Sequence, residues 1–88
     1  MTVILNGQDM TSREAAHDHL AKQLCLPAYY GRNLDALYDL LTEKGSGMLL
    51  VLEHSSEMTA ALGSYGTRLL QTLLDAAKEN PRLSVEIN

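Results

Sequence analysis

Three stretches of the chain read as β-strands, and the segments between them carry helical periodicity. Val3, Ile4 and Leu5 form a short apolar run that stops at Asn6-Gly7, a strong turn dipeptide. Met48-Leu49-Leu50-Val51-Leu52 is apolar throughout and follows Gly45-Ser46-Gly47, read as a turn. Such a run suits a strand covered on both faces, as in a parallel sheet between helices. Near the C-terminus Leu83, Val85 and Ile87 alternate with Ser84 and Glu86, so this strand shows one face to water.

Between the strands lie amphipathic helices. Thr11-x-x-Glu14 fits a capping box, and Ala16, Leu20 and Leu24 then repeat on one face. Pro27 opens a short turn. Asn33 is placed to cap a helix running through Thr42, with Leu34, Leu37 and Leu41 as its buried stripe. Met58–Leu62 is helical up to a break at Gly63 and Gly66. Beyond it Leu69, Leu70, Leu73, Leu74 and Ala77 face the core until Asn80-Pro81 ends the helix. The order is β-α-α-β-α-α-β, and right-handed crossovers make the strands parallel. The expected fold is α/β, a three-stranded parallel β-sheet with helices packed against it, in a single domain spanning residues 1–88. The pattern does not fix the order of the strands.

Composition adds limits. At 88 residues, 45% hydrophobic and 20% charged, the chain supports one ordinary core. Its net charge of −4 repels phosphate backbones and anionic bilayers, so neither nucleic acid nor a membrane is an expected partner; a basic protein is. The only cysteine, Cys25, forms no internal disulfide, whereas a small secreted domain ordinarily carries several. The initial apolar run lacks the cationic flank of a signal peptide, so a cytoplasmic location is expected. Flanked by Leu24 and Leu26, the Cys25 thiol is expected to be buried.

No catalytic or metal centre is expected. His17 and His19 stand about 200° apart around a helix, too far to share a metal. His54 is remote, and Gly45-Ser46-Gly47 lacks the length and following lysine of a phosphate-cradling loop. The chain is therefore expected to be no enzyme and to need no cofactor, with its histidines in packing or surface roles.

The informative stretch is Pro27 to Glu43. It holds Tyr29, Tyr30 and Tyr38, and it places Asp35, Asp39 and Glu43 at four-residue intervals in one row. Like charges at that spacing destabilise a helix by about 0.2–0.5 kcal/mol per pair. Arg32 is within reach of Asp35, but no cation stands at i±3 or i±4 from Asp39. A solvated helix face accounts for most such rows. Aromatic residues beside this one favour a docking surface for a cationic pocket. Asp75 and Glu79 repeat the spacing on the last helix, diluted by Lys78 and Arg82.

These residues form the pattern Leu24-x-Leu26-Pro27-x-Tyr29-Tyr30-Gly31-x-Asn33-Leu34-Asp35-Ala36-Leu37-x-Asp39-x-Leu41-Thr42. The sequence thereby resembles the barstar-like ribonuclease inhibitors. Weaker correspondence extends through Asn6-Gly7, Leu50-Val51-Leu52-Glu53 and Leu69 to Lys78. The resemblance implies an intracellular inhibitor that plugs a secreted bacterial ribonuclease of the barnase type with an acidic helix and its preceding loop. It implies that Asp39 occupies the catalytic phosphate site, that Asp35 contacts neighbouring basic groups, and that Tyr29 packs on a catalytic histidine. Gly31, Asn33, Leu34, Tyr38 and Glu43 would line the same surface, with Asp75 peripheral and Glu79 more distant. Gly31 is expected to take a positive φ or to serve a tight turn. The chain departs from the family pattern in having Tyr38 for tryptophan, Arg32 for an acid, no aromatic in Glu43-Lys44-Gly45, and Asp75 for glutamate. A noncatalytic adaptor or immunity protein binding another basic partner is the alternative on the same scaffold.

Overall fold

The structure is a computed structural model that describes residues 1–43, 45 and 47–88, so the turn read at Gly45-Ser46-Gly47 lies partly outside the described residues. Its elements are β1 (Thr2–Asn6), α1 (Arg13–Gln23), α2 (Leu34–Glu43), β2 (Met48–Glu53), α3 (Ser55–Leu62), α4 (Ser64–Glu79) and β3 (Leu83–Ile87), with a 3-10 turn at Gly7–Asp9. The strands form one parallel sheet in the order β1-β2-β3. The expected α/β fold with a three-stranded parallel sheet is the one found.

Alternation along the strands decides which side the helices cover. Val3, Leu5, Met48, Leu50, Leu52 and Leu83 join Ala16, Leu20, Leu37, Leu41, Leu69 and Leu73 in one buried core. The intervening rows, Thr2-Leu49-Ser84 and Ile4-Val51-Glu86, turn away from it. Ile4 is exposed and Leu49 half-buried, while Val51 is buried but stands outside the main core. The helices thus pack on one face, correcting the two-sided coverage expected from the apolar run. That run has another cause: β2 is the central strand, and its outward residues are shielded by a strand on each side.

Helix ends explain several differences from the sequence reading. The cap of α1 is Ser12, one residue beyond Thr11; its Oγ accepts from the Ala15 amide at 3.1 Å. Glu14 therefore sits too early to close a reciprocal capping box. At the other end Leu26 N–H donates to the Ala21 carbonyl (2.9 Å) and Cys25 N–H to that of Lys22 (3.4 Å). This is a Schellman motif, in which Cys25 takes the left-handed position at φ 52°. Its thiol is consequently exposed, not buried between its leucine neighbours. Gly63, at φ 62°, separates α3 from α4, whereas Gly66 lies inside α4 and breaks nothing. A Cβ at Gly66 would come within 3.0 Å of the Thr59 Cα, so this glycine permits the close approach of α3 and α4.

At the ends of β1 and β2 the backbone of Gly7 passes close to that of Glu53 and His54. A side chain at Gly7 would overlap the His54 carbonyl oxygen. Gly7→Ala is expected to lower folding stability by about 3 kcal/mol, the upper range for overpacking in a closed interior. Urea unfolding checks this; a loss below about 0.5 kcal/mol would mean that the contact relaxes freely. Among the described residues no helix is long and apolar enough to cross a membrane.

Candidate docking surface on the acidic helix

The loop before α2 is held by short-range bonds. Tyr30 N–H donates to the Pro27 carbonyl at 3.0 Å, closing the turn that Pro27 opens. Asn33 caps α2 as expected, its Oδ1 accepting from Ala36 N–H at 2.7 Å while its Nδ2 donates to the Gly31 carbonyl at 3.2 Å. The left-handed bend falls on Arg32, at φ 55°, and not on Gly31. Gly31 instead serves packing: a Cβ there would stand 3.2 Å from the Ala36 Cβ. Arg32 pairs with Asp18 and not with Asp35. Its guanidinium reaches back to α1, donating to Asp18 Oδ1 at 2.7 Å and to the Glu14 carbonyl at 3.3 Å.

A buried polar knot anchors the loop from below. His17, nearly inaccessible on α1, bridges two tyrosines, with Nδ1 2.6 Å from the Tyr30 hydroxyl and Nε2 2.7 Å from that of Tyr65. Tyr30 is buried while its neighbour Tyr29 is 80% exposed, so one tyrosine fixes the loop and the next is presented. Burial foremost, then the nearby Tyr65, pushes the Tyr30 hydroxyl up to about 12. Burial, and secondarily the Arg32 charge, lowers the His17 pKa, although Asp18 opposes this. Between that lowered value and the ordinary 6.5, the unfolded chain binds more protons than the folded one. Stability is therefore expected to fall as pH drops through 6.5 towards the folded pKa. Urea midpoints measured across that window should show this slope in the wild type and a shallower one in His17→Gln. Equal slopes would contradict it.

His17 and His19 occupy structural positions, while His54 is exposed. His17 uses both ring nitrogens in the knot, and His19 Nε2 accepts from the Asn6 amide at 2.9 Å. Among the described residues no group of three or more His, Cys, Asp or Glu side chains is arranged to hold a metal.

On α2 itself Leu37 and Leu41 are fully buried, which turns Asp35, Asp39 and Glu43 outward. Leu34, read as part of the buried stripe, is only half-buried at the helix entrance. The far end of α2 is fixed by Asn80, whose Nδ2 donates to the Leu41 carbonyl at 3.0 Å. Among the described residues no cation lies within 4 Å of the Asp35, Asp39 or Glu43 carboxylates.

The structure divides the sequence-predicted residues among three adjoining places. Tyr29, Gly31, Asp39 and Glu43 line a hollow of about 260 Å³ together with Tyr30, Ala36 and Leu40. Asn33, Leu34 and Asp35 line a second, larger hollow at the N-terminal end of α2. Tyr38 is half-buried, and its pKa is raised by burial and then by the Glu79, Asp75 and Asp39 carboxylates. Those acids act on one phenol from both helices, since α2 packs against α4. Asp75 accepts from Gln71 Nε2 at 2.8 Å. The second hollow also contains Arg13 and Arg68, which sequence reasoning passed over. They lie far apart along the chain and share no motif, so only the fold unites them.

With this geometry in place, comparison with known proteins gives two concordant results. The family model described as "Barstar (barnase inhibitor)" matches residues 1–87. The Bacillus subtilis (strain 168) protein named "Putative ribonuclease inhibitor YrdF" is 40% identical over 78 residues, covering 88% of this chain and 86% of that protein. The match takes in both the buried knot and the acidic helix, and this chain belongs to the barstar family.

Proposed function

We propose that this protein is an intracellular inhibitor of a secreted basic ribonuclease of the barnase type. In this reading α2 and the Tyr29–Asn33 loop enter the enzyme's cleft. The Asp39 carboxylate takes the place of the scissile phosphate, Asp35 and Glu43 meet flanking cations, and Tyr29 stacks on a catalytic imidazole. Gly31, Asn33, Leu34 and Tyr38 complete the contact, with Asp75 at its edge.

The observation that carries this reading is Asp39 itself: outward, without an internal cation among the described residues, and at the rim of a hollow shared with an exposed tyrosine. A ribonuclease must stabilise a highly anionic phosphorane-like transition state, so its cleft gathers cationic donors. A carboxylate on a prefolded helix offers the charge of the substrate without a bond to cleave, and little ordering entropy is lost on docking. Family membership and the name of the relative agree with a ribonuclease as target.

The test is titration against a small guanyl-preferring secreted ribonuclease. Inhibition is expected at one-to-one stoichiometry and unchanged by EDTA. Added salt should slow association far more than it changes dissociation, because the acidic field steers encounter. An excess of inhibitor that leaves RNA cleavage intact, or inhibition abolished by EDTA, would overturn the proposal.

A further inference from the structure

The larger hollow, about 460 Å³, begins at Asp35, the first residue of the acidic row, and gathers three arginines in its wall. Arg13, at the start of α1, and Arg68, on α4, both lie over the ring of Tyr65, their Cζ atoms 4.2 and 5.3 Å from its centroid. Among the described residues neither guanidinium has a carboxylate within 4 Å. Two like charges drawn to one ring repel each other unless an anion joins them. Arg32 adds a third guanidinium to the wall, already neutralised by Asp18.

From this we infer that the notch binds a phosphate group, held by the forks of Arg13 and Arg68. The entrance of α2 lines the same hollow, and its N-terminal dipole favours an anion there. Glu14 and Asp35 also line it and oppose a negative ligand. Their repulsion is offset only by an anion that offers acceptors to both forks at once, as phosphate does. The knot beneath supplies a further donor. A neutral His17 and two tyrosine hydroxyls hold three protons for two hydrogen bonds, so one hydroxyl keeps a proton to give elsewhere. Tyr65 lines the notch, and its hydroxyl is that donor when the imidazole proton is on Nε2.

The notch shares Asn33, Leu34 and Asp35 with the proposed ribonuclease contact, but its two forks lie outside that contact and its test uses no ribonuclease. The full chain, labelled with 15N, is titrated with inorganic phosphate at constant ionic strength while the Arg Nε–H and His17 ring signals are followed. Saturable shifts at Arg13 and Arg68, with His17 moving towards the Nε2–H tautomer, are expected. Affinity should fall at least about tenfold in the Arg13→Gln/Arg68→Gln double variant, as expected when charge-assisted bonds are removed. Arg13→Lys/Arg68→Lys, which keeps charge but not the forks, should fall in between, and thermal unfolding of each variant verifies folding. A parallel arm with guanosine 5′-monophosphate and with guanosine identifies the source. Tighter binding than inorganic phosphate, absent for guanosine, marks a nucleotide; equal binding marks free phosphate. Shifts that grow linearly and are matched by chloride, or affinity unchanged in the Gln double variant, would overturn the inference.

Discussion

Asp39→Ala is expected to weaken binding to the inhibited ribonuclease by about 2–5 kcal/mol or more, a range for desolvated charge pairs that the barnase–barstar pair itself helps to define. The size comes from what is left behind. In the proposed complex, removing one carboxylate would strand several enzyme cations in a site closed to water, each bearing its desolvation unrelieved. Asp75→Ala should cost no more than about 1 kcal/mol, because a rim charge in partial solvent contributes little. Asp75 is also held by Gln71 on its own helix. Titration calorimetry on both variants separates the cases. Equal losses would show that the negative surface acts as a diffuse field and that Asp39 has no privileged position.

Leu37→Ala is expected to lower folding stability by about 2–5 kcal/mol, the cost of deleting a buried leucine and leaving a cavity. Leu37 is fully inaccessible, two residues before Asp39 on the same helix. The two side chains divide the helix between core and surface: burial of Leu37 fixes the rotation that presents Asp39. Urea unfolding gives the measurement. A loss below about 0.5 kcal/mol, the range of ordinary surface substitutions, would place the buried face of α2 elsewhere.

Much of the fold was legible because it depends on periodicity and end signals. The apolar steps at Ala16, Leu20 and Leu24 and at Leu37 and Leu41 all reach the core, and Asn33 caps α2 as read. Parallel pairing follows from crossover handedness, but strand order does not, since β2 becomes central only through packing. Errors arose where two adjacent residues could serve one role. Thr11 and Ser12 both carry a hydroxyl, and the closure of the first turn selects Ser12. Gly31 and Arg32 compete for the left-handed bend. Arg32 takes it despite its Cβ, with ion pairing to Asp18 and packing of Gly31 on Ala36 compensating. Cys25 was read from its apolar neighbours, but a Schellman end turns that position outward.

The candidate surface was legible in part. The row Asp35, Asp39 and Glu43 follows from helical spacing, and its outward direction from the leucines opposite. The sharing of these residues between an acidic hollow and an arginine-lined notch was not legible. It depends on where α1 and α4 deliver Arg13 and Arg68 beside the start of α2. The influence of Asp75 and Glu79 on Tyr38 likewise needs α2 and α4 side by side.

The central claim is best tested by determining the structure of the complex with an inhibited ribonuclease and measuring the distances from both Asp39 carboxylate oxygens. The account predicts charge-assisted contacts of about 2.7–2.9 Å to the cationic groups that otherwise hold the RNA phosphate. An Asp39 carboxylate left in solvent, with the cleft closed by another part of the chain, would contradict it.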